Sequence, residues 1–216
     1  MILLGKFTYE EYATNSTLET YEWDNIWWEK APDNNTPRAL IIGDSISCGY
    51  RQLINTEIGG KIYIDGFGTS KALDNPFMIS SIDNVIAQQK HTEAIQINNG
   101  LHGWHLSLAE YEHHYRIIID HILTTYPDVP LIIALTTPVR KKDNLDIFDE
   151  RNHLVLKRNE IAVNIAKEKN IIINDLYSTI AKTPEIYILD GVHLSVEGYL
   201  LLAKQCVKVF KKCING

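Results

Sequence analysis

Leu40-Ile41-Ile42-Gly43-Asp44-Ser45-Ile46-Ser47 decides the reading of this chain. An apolar run of β type ends abruptly at Gly-Asp-Ser, and a helical stretch follows. Such a turn leaves the Ser45 hydroxyl at the carboxyl edge of a strand, where parallel α/β sheets place their ligands. It also sets the Ser45 N–H at a helix N-terminus, where the dipole favours negative charge. Ser45 is therefore a candidate nucleophile with part of an oxyanion hole built into its backbone. By itself, a serine after a strand reads as a helix cap. Far downstream, Asp190-Gly191-Val192-His193 precedes the last helical stretch. An Asp and a His three residues apart on a turn can converge, so that the carboxylate orients the imidazole. Ser45, His193 and Asp190 would then form a triad. Without Ser45, the same pair reads as an Asx turn with an exposed histidine. Asp44 is expected to fix the turn by accepting backbone N–H groups at the helix start.

The chain between these two turns alternates. Strands are expected at 38–42, 61–64, 94–97, 131–135 and 171–173, and helices at 47–58, 74–90, 107–126, 150–169 and 195–212. Gly59-Gly60 closes the first helix, Pro76 sits in the first turn of the second, and Pro127 stops the third. Asp65 to Ser70 and Thr136 to Ile147 read as loops. Five short apolar strands alternating with helices imply a parallel sheet covered on both faces. The expected fold is an α/β class, three-layer α/β/α sandwich with a five-stranded parallel, flavodoxin-like sheet.

Gly43-Asp44-Ser45 and Asp190-Gly191-Val192-His193-Leu194 resemble the first and last blocks of the SGNH hydrolases, the GDSL-type esterase superfamily. The resemblance covers about residues 37 to 216. It implies a serine esterase that hydrolyses small acyl esters through an acyl-enzyme, with neither cofactor nor metal. It also implies a second oxyanion donor, a glycine N–H after the second strand. Gly66 and Gly68 both qualify, and Gly68, just before Thr69-Ser70, is the better match. The family's third donor is an Asn in a Gly-x-Asn-Asp block after the third strand. This chain departs there, with Asn98-Asn99-Gly100-Leu101-His102. Nearness to the strand end points to Asn99 or Asn98, with Asn99 slightly ahead. Matching Gly100 to the block's glycine points to His102.

Other residues bear on the same edge. Trp104 and His102 are candidates for the substrate pocket. His102 and His105 lack an obvious third ligand, so a metal site is not expected. Arg140 reads as a solvated charge or a contact for a polar substrate. Cys48 is a rival nucleophile, but the turn favours Ser45. Cys206 and Cys213 fall about 10 Å apart on one helix, too far to bridge.

The chain has 216 residues and a net charge of −6. That length suits one sizeable core. The charge supplies no basic surplus for nucleic acid. No apolar run reaches the ~18 residues of a membrane span, and no signal peptide is evident, so a cytoplasmic location is the expectation. Residues 1–36 are acidic and aromatic. They read as an extension that packs on the 37–216 domain, with a hairpin or a sugar-stacking platform as further uses of its tryptophans. Pro32 to Pro37 reads as the linker. Among the family's activities, an acidic chain without a long apolar lid fits a polar substrate, such as an acetylated sugar. Lysophospholipase or thioesterase activity is the alternative within the family. A catalytically silent glycan-binding module is the alternative outside enzymes. A nucleotide binder is weaker, since no Gly-rich loop follows the first strand. Oligomeric state is not legible.

Overall fold

Side chains alternate along a strand, so a strand buried on both faces sorts its residues into two cores. In the computed structural model, which describes residue 18, residues 21–89 and residues 92–214, β2 (Arg38–Gly43) does this. Ala39 and Ile41 join one apolar cluster, and Leu40 and Ile42 join the other. The first cluster is covered by α1 (Ser45–Ile58), α5 (Leu176–Ile180) and α6 (Val196–Ile214). The second is covered by α2 (Met78–Gln88), α3 (Leu108–Thr125) and the later part of α4 (Asn152–Glu168). The result is the expected three-layer sandwich.

The sheet has six strands rather than five. Its order is β1 (Asp24–Trp27), β3 (Tyr63–Thr69), β2, β4 (Thr92–Ile97), β5 (Leu131–Ala134) and β8 (Ile172–Asn174). The five expected strands are parallel, and β1 adds to one edge antiparallel to β3. Its pairing also explains a second difference. Residues 65–69 were expected in a loop, yet β3 continues to Thr69 because Asp24 to Trp27 supply partners for Gly66 to Thr69. The 136–147 stretch is likewise not all loop. It carries β6 (Arg140–Lys141) and β7 (Asn144–Phe148), a two-stranded hairpin.

Of the N-terminal stretch, residues 1–17, 19 and 20 lie outside the described residues. From Tyr21 onward it is tied to the sheet. Trp23 and Trp28 are half-buried, whereas Trp27 is exposed. Residues 32–37 form a pinned turn. The Asp33 carboxylate accepts the Asn35 and Thr36 N–H groups, the Thr36 hydroxyl and the Tyr63 hydroxyl. Arg38, at the start of β2, donates to the carbonyls of Glu29, Lys30 and Asp33 and pairs with Asp65 at 2.8 Å. Asp65 is fully buried and also accepts the Glu29 N–H and the Gln89 amide. No helix of the described residues is long and apolar enough to cross a membrane.

Removing one partner of a buried ion pair strands the other charge, at a cost of about 3–5 kcal/mol. Asp65→Ala should therefore lower the unfolding free energy by an amount in that range, read from urea titration. An exposed pair such as Lys157–Glu160 should change it by less than about 1 kcal/mol.

Candidate active site

The first turn of α1 follows from Gly43-Asp44-Ser45. Asp44 is the N-cap, and its Oδ1 accepts the Ile46 N–H at 2.9 Å. Its carbonyl accepts the Ser47 hydroxyl at 2.6 Å and the Cys48 N–H at 3.2 Å. Gly43 lacks a side chain for a steric reason, since a Cβ there would stand 2.8 Å from the Ser47 Cβ. Ser45 is thereby held as the first residue of the helix, half-buried.

Ser45, His193 and Asp190 come together in one hydrogen-bonded chain. Ser45 Oγ lies 2.8 Å from His193 Nε2, and His193 Nδ1 lies 2.8 Å from Asp190 Oδ2. An ionised carboxylate can only accept, so Nδ1 carries the proton and Nε2 presents its lone pair to the serine. Burial acts to raise the Asp190 pKa. The His193 ring and the N–H groups of Val192 and His193 outweigh it and hold the carboxyl below its usual range.

The loop carrying Asp190 and His193 is locked from several sides. The Ile188 N–H donates to the His193 carbonyl, the Gly191 N–H to the Ile188 carbonyl, and the Arg140 N–H to the Gly191 carbonyl. Arg140 is not the solvated or substrate-facing charge anticipated. It is 3% exposed, donates to the carbonyls of Leu145 and Ala181, and stacks on the rings of Phe148 and Tyr187. Its hairpin buttresses the histidine loop.

The oxyanion candidates fare unequally. Gly68 lies inside β3, opposite Asn25 and Gly43. The Ser70 N–H donates to the Trp23 carbonyl, so the alternation of an antiparallel ladder turns the Gly68 N–H to the Asn25 carbonyl, and the expected glycine donor is engaged in the sheet. A Cβ at Gly68 would collide with the Cys48 Sγ and stand 3.6 Å from the Asp44 carbonyl oxygen. Gly66 is packed in the same way against Arg51. Asn98 is ruled out as placed. Both hydrogens of its amide are engaged, with the Ala134 carbonyl at 2.7 Å and the Thr136 hydroxyl at 3.0 Å. It ties the end of β4 to the end of β5. Asn99 is 3% exposed and gives one amide hydrogen to the Lys71 carbonyl, which leaves a second. His102 is buried and meets the Trp23 ring edge-on at 6.5 Å. His105 pairs with Asp74 at 2.9 Å. Trp104 is half-buried with its ring over Arg158 and Arg151.

Arg158 was missed by sequence reasoning. It is 1% exposed and sits between the rings of Trp104 and Tyr111. It donates to the carbonyls of Gly100, His102 and Gly103, so it holds the whole loop after β4. Burial pulls its pKa down. The signal was present. Val155, Arg158, Ala162 and Ile165 form one helical stripe, and an arginine on a buried stripe needs acceptors.

No family model matches the chain, and no curated protein matches its sequence. Solved structures do resemble it. A member of the lipolytic G-D-S-L family from Veillonella parvula is 21% identical, with TM-score 0.64 over 82% of this chain and all of that one. The acetylxylan esterase Axe2 from Geobacillus stearothermophilus is 19% identical, with TM-score 0.61 over 85% of this chain and 97% of that one. The acetyl xylan esterase AlAXEase is 16% identical, with TM-score 0.64 over 80% and 98%. The chain thus has the fold of GDSL-type esterases, as the two sequence blocks suggested.

Gly191 tests the histidine loop. Its φ is +74°, and a Cβ there would run into the Arg140 carbonyl. Gly191→Ala should leave the far-ultraviolet circular dichroism intact. If the loop presents a working histidine, the variant should lower turnover on the order of a hundredfold, as displacement of a catalytic group by about 1 Å does.

Proposed function

We propose that this chain is a carboxylic ester hydrolase of the SGNH type, with Ser45 as nucleophile, His193 as base and Asp190 as the group that orients it. The hydrogen-bonded chain from Ser45 through His193 to Asp190 carries the proposal. Ser45 Oγ attacks the ester carbonyl carbon while its proton passes to His193 Nε2. Negative charge collects on the former carbonyl oxygen. The N–H of Ser45, at the positive end of α1, answers it together with the second amide hydrogen of Asn99. The tetrahedral adduct then breaks its bond to the alkoxy oxygen, which takes the proton from His193 and leaves as alcohol. Water attacks the acyl-enzyme, gives its proton to His193, and the carboxylic acid departs as Ser45 is regenerated. The Ser45 proton serves the leaving alcohol and the water's proton restores Ser45, so the sequence balances without a cofactor.

The substrate class we propose is a small O-acyl ester of a polar alcohol, with an acetylated carbohydrate foremost. Two of the similar folds belong to acetyl xylan esterases. The net charge of −6 disfavours anionic lipid surfaces. Lysophospholipase or thioesterase action is the alternative within this chemistry. The departure from the family's Gly-x-Asn-Asp block at Asn98-Asn99-Gly100-Leu101-His102 favours a second reading, a silent glycan-binding module.

Hydrolysis of p-nitrophenyl acetate, butyrate and octanoate separates them. The wild type should turn over acetate best. Ser45→Ala and His193→Ala should each lower kcat on the order of 10⁴-fold or more, and Asp190→Asn by less. No turnover of any ester, or turnover that survives Ser45→Ala, would move the binding module to the front.

The rival nucleophile has its own test. Burial pushes the Cys48 thiol up from its ordinary value against the opposing charge of Arg51. The Cys206 thiol is pushed up to about 12. Iodoacetamide at neutral pH should therefore leave ester hydrolysis unchanged. Loss of activity in step with labelling of Cys48 would reverse the assignment.

A further inference from the structure

We infer that Trp23, from the antiparallel edge of the sheet, walls the acyl side of the site and restricts it to short acyl groups. The inference rests on the esterase reading and adds to it the residue that sets acyl length. Ser45 emerges from the end of β2, which lies between β3 and β4 in the sheet. Trp23 touches both neighbours of that strand. Its Cζ3 lies 3.3 Å from the point where a Gly68 Cβ would stand, and Gly68 belongs to β3. Its ring meets that of His102, on the loop after β4, at 6.5 Å and 74°. The indole therefore spans the flanks of the strand that ends in the serine. The same Gly68 point lies 3.6 Å from the Asp44 carbonyl, one residue before Ser45.

The direction follows from where the histidine enters. His193 reaches Ser45 on a loop bonded to Arg140, just beyond β5. Trp23 stands on the β1–β3 side. The leaving oxygen must face His193 to receive its proton, so the acyl chain extends away from it. The remaining direction, toward the backbone N–H of Ser45, holds the oxyanion. That leaves the acyl group facing the indole. The backbone that carries the indole is fixed. The Trp23 N–H donates to the Ser70 hydroxyl at 2.8 Å, and its carbonyl accepts the Ser70 N–H at 3.1 Å. His102 is held behind it, because Arg158 fixes its carbonyl at 2.7 Å. Two rings carried on fixed backbone reject added methylenes by steric overlap.

The test compares wild type, Trp23→Ala and Trp23→Phe on p-nitrophenyl acetate, butyrate and octanoate. Methyl acetate is measured alongside phenyl acetate to vary the alcohol alone. Trp23→Ala should raise the octanoate-to-acetate ratio of kcat/KM on the order of tenfold or more, with Trp23→Phe in between. The ratio between the two alcohols should stay as in the wild type. An unchanged acyl profile overturns the inference, as does an equal fall on all three esters, which marks a purely structural role. So does a change confined to the alcohol ratio, which puts the indole on the leaving-group side. If Trp23→Ala does not fold, Trp23→Phe decides alone by the same criteria. Failure of the esterase reading shows separately, as a wild type without ester turnover or one indifferent to Ser45→Ala.

Discussion

The hydrogen bond from the Ile46 N–H to the buried carboxylate of Asp44 is the constraint on which the edge that carries Ser45 depends. A helix that begins directly at a strand's end must satisfy its first N–H groups within one or two residues. Asp44 does so from the cap, and its carbonyl takes the Ser47 hydroxyl as well. The turn is then too tight for any residue but glycine at position 43. Ser45 is left at the first helical position with no freedom to drift. The geometry is set by bonds within residues 43–48 and needs no contact with a substrate.

The surrounding loops are held by another means. Long connections at the carboxyl edge expose carbonyl groups that no strand or helix satisfies. Here two buried guanidinium groups collect them. Arg158 gathers three carbonyls of the loop after β4, and Arg140 gathers two beside the histidine loop. Each also lies against two aromatic faces. Taking such a charge out of water is costly, and carbonyl dipoles offset it less fully than a carboxylate would. What the arrangement provides is a fork of fixed donors that a lysine cannot reproduce. The stability given up there fixes the shape of both loops that face Ser45.

Much of this was legible in the residues. The strand-turn-helix at 40–47 announced itself through a β-type apolar run ending in Gly-Asp-Ser, and the Asp190–His193 spacing suits a turn that folds back on itself. The alternation gave five parallel strands because each is short, apolar and bounded by turn residues. The sixth strand was hidden for a physical reason. Asp24-Asn25-Ile26-Trp27 has no apolar alternation, since all four residues of this edge strand are exposed. Its pairing comes from β3, not from its own composition, and so the length of β3 was misread too. The loop residues failed differently. Asn98 looked like a donor by position, but position says nothing of which carbonyl an amide will meet. Arg140 looked solvated because it adjoins Lys141 and Lys142, although only Arg140 of the three is buried. Local sequence encodes periodicity and turns. It does not encode which distant carbonyls need a cation.

That limit has a consequence for how the site assembles. Ser45 follows the second strand of the chain, which lies near the middle of the sheet, so none of its own neighbours in sequence can wall it. The walls come from far along the chain in both directions. Trp23 arrives on an edge strand that must find β3, and its bond to Ser70 spans 47 residues. The Ser45–His193 hydrogen bond spans 148. Contacts of such separation form only after most of the chain has been ordered, because the entropy of closing those loops must first be met. The strand-turn-helix can be in place early, while the histidine and the indole can dock only onto a nearly finished sheet. On the proposed mechanism, Ser45 without His193 is harmless, since an unassisted hydroxyl is a poor nucleophile. The topology therefore brings His193 to Ser45 only once the folded sheet is there to orient it.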